Sequence, residues 1–254
     1  PHAVIRSLRL SVGMLTVLRV GVVLEPSRRT ARGAILLAPL AVAPLGLAVA
    51  ALLWVGTVLG LPTFSAAFLA LGALALGTRA LHLDGLSDVA DGLTAPYGPE
   101  RSLAIMKTGA SGPAGTVGLF FILALQATSL NQLVARDDSD WRHPLIACGC
   151  VMAARLALWI TACALVPPAR PDGLGLTFTR TIPIVVTLVG WLALGGLSVL
   201  VDPVRGPVTV AIAAVFVAVL TWRCIRRFGG VTGDVFGAAI ELAFAVLALG
   251  AATA

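Results

Sequence analysis

Seven stretches of this chain are apolar for long enough, or nearly so, to cross a bilayer: residues 33–59, 64–82, 113–134, 144–166, 181–201, 207–224 and 235–253. A hydrocarbon core about 30 Å thick takes roughly 20 helical residues to span. In that medium every backbone N–H and C=O needs a partner within the chain, which leaves helices or closed barrels. The tracts are rich in Leu, Ala, Val and Gly and lack the ten-residue alternation of barrel strands. The expected fold is therefore all-α, a polytopic membrane helix bundle with about seven spanning helices. A content of 58% hydrophobic and 12% charged residues and a mean hydropathy of +0.98 exclude an ordinary soluble domain. The whole chain, 1–254, reads as a single integral-membrane domain.

Residues 8–24, LRLSVGMLTVLRVGVVL, form a shorter stretch interrupted by Arg19. They are expected to make an interfacial or re-entrant helix rather than an eighth span. Arg6, Arg9 and Arg19 in this region, without an A-x-A site, argue against a cleavable signal peptide. Cys148, Cys150, Cys163 and Cys224 all fall in apolar tracts with no zinc or disulfide spacing, and packing is their expected role.

The net charge of +6 does not point to nucleic acid, because the basic residues are spread between apolar runs instead of gathered on one face. In a membrane protein they report orientation first. Arg28, Arg29 and Arg32 precede the first long tract, and alternation puts residues 83–112, 167–180 and 225–234 on the same side. Those segments carry Arg101, Lys107, Arg170, Arg180, Arg226 and Arg227. The opposite loops carry Arg136, Arg142 and Arg205 beside Asp137, Asp138 and Asp140. The first set is expected at the cytoplasmic face of a multi-pass protein of the cell (inner) membrane.

That face holds the chemically unusual residues. The chain has twelve acidic residues, and LHLDGLSDVADG, residues 81–92, places Asp84, Asp88 and Asp91 beside His82. On a helix the three carboxylates stand at i, i+4 and i+7 and share a face. Like charges so stacked at a membrane boundary need a cation or a shifted pKa. Oxygen donors favour a hard ion, and Mg²⁺ held by a few Asp and by substrate phosphates suits phosphoryl chemistry. Gly85 and Gly92, each following an acid, would let a phosphate approach the backbone.

Two further segments belong to this reading. In RSLAIMKTGASGPAG, residues 101–115, Arg101 and Lys107 can neutralise phosphate charge, and the run from Gly109 to Gly115, with Gly112, resembles an anion-holding nest at a helix start. In FGGVTGDVFGAAIEL, residues 228–242, Thr232, Gly233 and Asp234 stand at a second helix entrance, where Asp234 could equally be an N-cap. Glu241 lies two turns below Asp234, and an acid at that depth requires a partner, for which Arg155 is a candidate.

With these residues in view, the sequence resembles the cobalamin synthase family, the adenosylcobinamide-GDP ribazoletransferases, over nearly its whole length. The pattern H-x-D-G-x-x-D-x-x-D-G carries the resemblance, with the Ile105–Gly115 stretch, MLTVLRV, Pro39-Leu40 with Gly46, ARPDGLG at 169–175 and GGVTGDVFGAAIEL in support. The resemblance implies transfer of adenosylcobinamide phosphate from its GDP adduct to the ribose 3′-hydroxyl of α-ribazole or its 5′-phosphate, with release of GMP and a requirement for Mg²⁺. It implies Asp84, Asp88 and Asp91 as metal ligands and Asp91 or His82 as the base. It further implies a catalytic Lys107, with Arg101, Gly85, Gly92, Gly112, Gly115, Thr232, Gly233, Asp234 and Arg155 about the substrate. The expected partners are those two substrates and the lipid bilayer, with homo-oligomerisation left open. This chain has Thr108 where the family commonly has Asp, so an acid role at that position is absent or relocated. A cation-coupled transporter is the competing class, but it would place its acids near mid-membrane on repeat-related broken helices.

Overall fold

The computed structural model describes residues 2–96, 98–107, 109–135 and 140–253. The described residues form a helical bundle. Its first helix, α1 (His2–Leu15), buries Ser7, Ser11 and Leu15. At 14 residues it is about 21 Å long, too short to cross the core. Residues 16–24, expected to continue this helix, leave helical geometry after Leu15.

The tract at 33–59 is broken into three pieces, α2 (Arg28–Leu36), α3 (Ala38–Ala41) and α4 (Ala43–Val58). Pro39 and Pro44 open the second and third pieces, because proline lacks an N–H and its ring clashes with the carbonyl four residues back. The Ser27 side chain caps α2 by accepting the Thr30 N–H at 3.2 Å.

The tract at 64–82, expected as one span, bends by 89° between α5 (Thr63–Gly77) and α6 (Leu81–Thr94). Arg79 and Ala80 take left-handed backbone angles there, φ 57° and 53°. The Arg79 guanidinium donates to the Gly13 carbonyl at 2.9 Å, which ties the bend to the end of α1. As a result α6, the acidic motif, is a helix in its own right.

A short α7 (Pro99–Ile105) leads to α8 (Pro113–Val134), which coincides with the expected tract. Next come α9 (Arg142–Ala153), a 3₁₀ turn at Ala154–Leu156 and α10 (Ala157–Thr161), together one 20-residue apolar span. The chain ends with α11 (Gly173–Phe178), α12 (Ile184–Ser198), α13 (Arg205–Phe228) and α14 (Gly233–Thr253).

Among the described residues four spans are long and apolar enough to cross a membrane, and counting the bent α5–α6 pair as one broken span gives five. The shorter apolar α4 and α12 account for the other two expected tracts. The core centres on α14, which packs against α6, α8 and α13. By contrast α13 turns Val215, Phe216, Val219 and Trp222 outward, as a lipid-facing helix does. All four cysteines are free and buried, consistent with packing.

One end of the bundle gathers the four segments that charge alternation puts on one side. Arg28 donates to the Arg180 carbonyl at 2.6 Å, and Arg170 to the Leu103 carbonyl at 2.7 Å. Arg227 donates to the Ala95 carbonyl and, at 3.0 Å, to the Ser102 hydroxyl. Pro168 bridges to Val231. Thr108, Arg136, Asp137 and Asp138 lie outside the described residues.

Candidate active site

The two glycine-and-acid motifs, some 150 residues apart in sequence, meet across α6 and α14. A Cβ on Gly85 would stand 2.6 Å from the Asp234 carbonyl oxygen and 2.9 Å from its Cα. One turn deeper the relation is reversed, with a Cβ on Gly237 falling 2.9 Å from the His82 Cα. Each helix thus gives a glycine to the other's backbone, the small-residue contact that lets membrane helices approach closely. Gly85 thus serves the packing of α6 on α14.

The contact sets Asp234 at the first turn of α14 beside the acidic face of α6. Asp84 is exposed, Asp91 and Asp234 are half-buried, and Asp88 is buried at 8% exposure. Asp88 lies within electrostatic reach of Asp84, Asp234, Asp91 and Arg170. Buried Thr232 donates its hydroxyl to Asp234 Oδ2 at 3.0 Å, and Gly233 is the first residue of α14. Among the described residues no three His, Cys, Asp or Glu side chains already converge as a metal cage. What the two helices present is an open group of carboxylates.

Asp91 has a separate environment. Its Oδ2 accepts the Gly112 N–H at 2.6 Å and its Oδ1 the Gly115 N–H at 2.9 Å. At the start of α8, two of the backbone N–H groups of the glycine run thus donate to the chain's own Asp91 side chain. Ser87 Oγ donates to Ser111 Oγ at 3.0 Å alongside it. Gly92 packs against Met106 and Phe228, whose atoms would lie 2.9 Å and 3.1 Å from an added Cβ, so it too faces protein. Arg101 and Lys107 are exposed, on α7 and just beyond its end.

Beneath the acids lies a buried polar group. His82 Nδ1 is 3.6 Å from Glu241 Oε1, an ion-pair distance longer than a hydrogen bond. Gln126 donates its Nε2 to Glu241 Oε2 at 2.8 Å. Arg155, 1% exposed, donates Nη1 to the Val151 carbonyl at 2.7 Å, and its Nε and Nη2 find no hydrogen-bond partner among the described residues. Arg155 therefore acts on Glu241 through space, while His82 and Gln126 are its near partners. Both Arg155 and His82 are buried.

Sequence reasoning gave no role at the site to Arg170, Gln126, Ser87 or Ser111. Gln126 could have been found as a lone amide in an apolar tract, and Arg170 as the cation of ARPDGLG. The two serines carry no signal of their own.

The chain matches the family model described as cobalamin-5-phosphate synthase over residues 7–252. An adenosylcobinamide-GDP ribazoletransferase of a Nocardioides species is 47% identical over 241 residues, covering 95% of this chain and 96% of the relative. A protein of the same name from Bradyrhizobium diazoefficiens is 39% identical over 246 residues, covering 92% and 88%. One from Frankia casuarinae is 34% identical over 260 residues, covering 95% and 92%. No solved structure matches the chain. With these matches spanning the helices that build the carboxylate group, the chain belongs to the cobalamin-5-phosphate synthase family.

Proposed function

We propose that this protein is an adenosylcobinamide-GDP ribazoletransferase whose reaction centre is the carboxylate group shared by α6 and α14. The observation that carries this reading is the meeting of Gly85 and Asp234, which makes one acidic surface of two distant motifs. In the proposed reaction the 3′-hydroxyl oxygen of α-ribazole, or of its 5′-phosphate, forms a bond to the phosphorus that bears adenosylcobinamide. The bond from that phosphorus to GMP breaks, and GMP leaves with the electron pair.

The donor set fits Mg²⁺. Asp84, Asp88 and Asp234 are oxygen donors, and among the described residues Asp88 lies within electrostatic reach of Asp84, Asp91 and Asp234, opposed by Arg170. We assign the ion to Asp84, Asp88 and Asp234 in place of the expected Asp84, Asp88 and Asp91, because the Asp91 carboxylate is turned toward the backbone N–H groups of Gly112 and Gly115. Bound there, Mg²⁺ would neutralise the diphosphate and the charge developing on GMP. The remaining work falls to the chain. Arg101 and Lys107 offer exposed positive charge to the phosphates. The hydroxyl proton passes to a carboxylate of the cluster, of which Asp84 is the exposed member. The excess of Arg and Lys at this end supports a cytoplasmic orientation, where nucleotide-linked substrates occur.

The test is GMP release by purified protein in lipid, given adenosylcobinamide-GDP, α-ribazole and Mg²⁺. Release above controls lacking the acceptor is the expected result. Release no greater than those controls contradicts the reading, and a cation-coupled transporter would give that outcome.

A further inference from the structure

Resting on the functional reading above, we propose that Asp91 is a positioning residue, the N-cap of α8 supplied from another helix, which holds the segment carrying Lys107 against the acidic face. A helix start leaves its first N–H groups without intrahelical partners, and an N-cap side chain normally accepts one from the third helical position. Here the N-cap is Gly112, which has no side chain to offer. Pro113 follows at the first helical position and has no N–H. Asp91 stands in for the missing cap side chain, accepting the N–H of Gly112 itself and that of Gly115, the third helical residue.

Two features show that the fit is built for a carboxylate. An added Cβ on Gly112 would lie 2.5 Å from Asp91 Oδ1, and one on Gly115 would lie 2.4 Å from Asp91 Oδ2 and 2.3 Å from Ser87 Oγ. The glycines that resemble a phosphate nest are small because Asp91 occupies the space. The Ser87–Ser111 hydrogen bond closes the same junction one turn along α6. Met106, 4% exposed and packed on Gly92, anchors the start of the connection that Lys107 continues.

This geometry makes a prediction that neither a metal ligand nor a base would share. Gly112 has φ −80° and ψ 179°, angles open to any residue and typical of an N-cap. A serine at 112 could therefore cap α8 by itself, provided that Asp91 were not in the way. Gly112→Ser alone should impair the enzyme by crowding Asp91. Asp91→Ala alone should impair it by uncapping α8, each by about tenfold or more in GMP release. The double variant Asp91→Ala/Gly112→Ser should recover most of that loss, because the cap is restored without a carboxylate at 91.

The experiment pairs this cycle with hydrogen exchange of the Gly112 and Gly115 amides, measured without substrate. Faster exchange in Asp91→Ala, restored protection and activity in the double variant, and a Mg²⁺ half-saturation within about twofold of the parent support the proposal. Unchanged exchange in Asp91→Ala overturns it. So does a double variant that regains protection but stays as inactive as Asp91→Ala, since the carboxylate would then be needed for chemistry. If Asp91→Ala does not fold, Asp91→Asn serves, with one acceptor oxygen and faster exchange expected at one of the two amides. The exchange readout stands even if the parent releases no GMP, which separates failure of this proposal from failure of the functional reading.

Discussion

Gly85 on α6 presses against the backbone of Asp234 on α14, close enough that a Cβ at Gly85 would meet the Asp234 carbonyl oxygen at 2.6 Å. That single contact turns two acidic segments into one surface. Both partners there are backbone, so neither can move aside as a flexible side chain would.

Gly85→Ala should consequently force α6 and α14 apart and destabilise the protein by about 1–3 kcal/mol, as overpacking does. Activity should fall further than stability, because the spacing of Asp84 and Asp88 from Asp234 changes. Gly72→Ala is the matched control in the interior of α5, where an added Cβ meets nothing within 4 Å. Alanine there should be neutral or stabilising by up to about 1 kcal/mol. Thermal unfolding and GMP release of the two variants check the pair.

The buried group around Glu241 should be sensitive to truncation. Glu241→Ala removes the side-chain acceptor for Gln126, takes the near carboxylate from His82 and leaves the Arg155 guanidinium buried without an opposing charge, a loss of about 3–5 kcal/mol by analogy with broken buried pairs. Glu241→Gln keeps a hydrogen-bonding oxygen and should lose less. Unfolding midpoints in detergent order the two, and equal midpoints for Glu241→Ala and the parent would remove the network from the stability of the bundle.

Asp202 gives a pH signature at the opposite end of the bundle. Its Oδ1 accepts the N–H groups of Arg205 at 2.6 Å and Val204 at 2.9 Å at the start of α13, and these bonds lower its pKa below the usual carboxylate value. A carboxylate with a lowered folded pKa contributes stability that is present above its unfolded pKa and lost as pH falls through the folded one. Asp202→Asn should lower the unfolding midpoint at neutral pH and leave it unchanged in strong acid. A gap between variant and parent that persists at low pH would contradict the capping role.

Much of this arrangement was legible in the residues, and the rest depended on partners that periodicity does not name. The tract at 113–134 became α8, and the i, i+4, i+7 spacing of Asp84, Asp88 and Asp91 became a real helix. The 89° bend before that helix was hidden, because Arg79 and Ala80 give no sign of left-handed backbone. Pro39 and Pro44 did mark breaks, yet the apolar tract around them reads as continuous. The carboxylate spacing showed which face the acids share and not what lies across from it. So Asp91 read as a metal ligand or base, with no sign of the Gly112 and Gly115 N–H groups that surround it. Likewise, Arg155 was a reasonable partner for Glu241 by charge, whereas the fold put His82 and Gln126 nearer.

The most direct measurement is a double-mutant cycle of Asp88→Asn and Asp234→Asn, read as GMP release against Mg²⁺ concentration. If the two carboxylates serve one ion and one phosphate, each single variant should lose about a hundredfold or more and need more Mg²⁺. The double variant should then be little worse than the weaker single, as residues acting as a unit behave. An Asp234→Asn enzyme with the parent's rate and Mg²⁺ dependence would contradict the shared site, and so would losses that simply multiply.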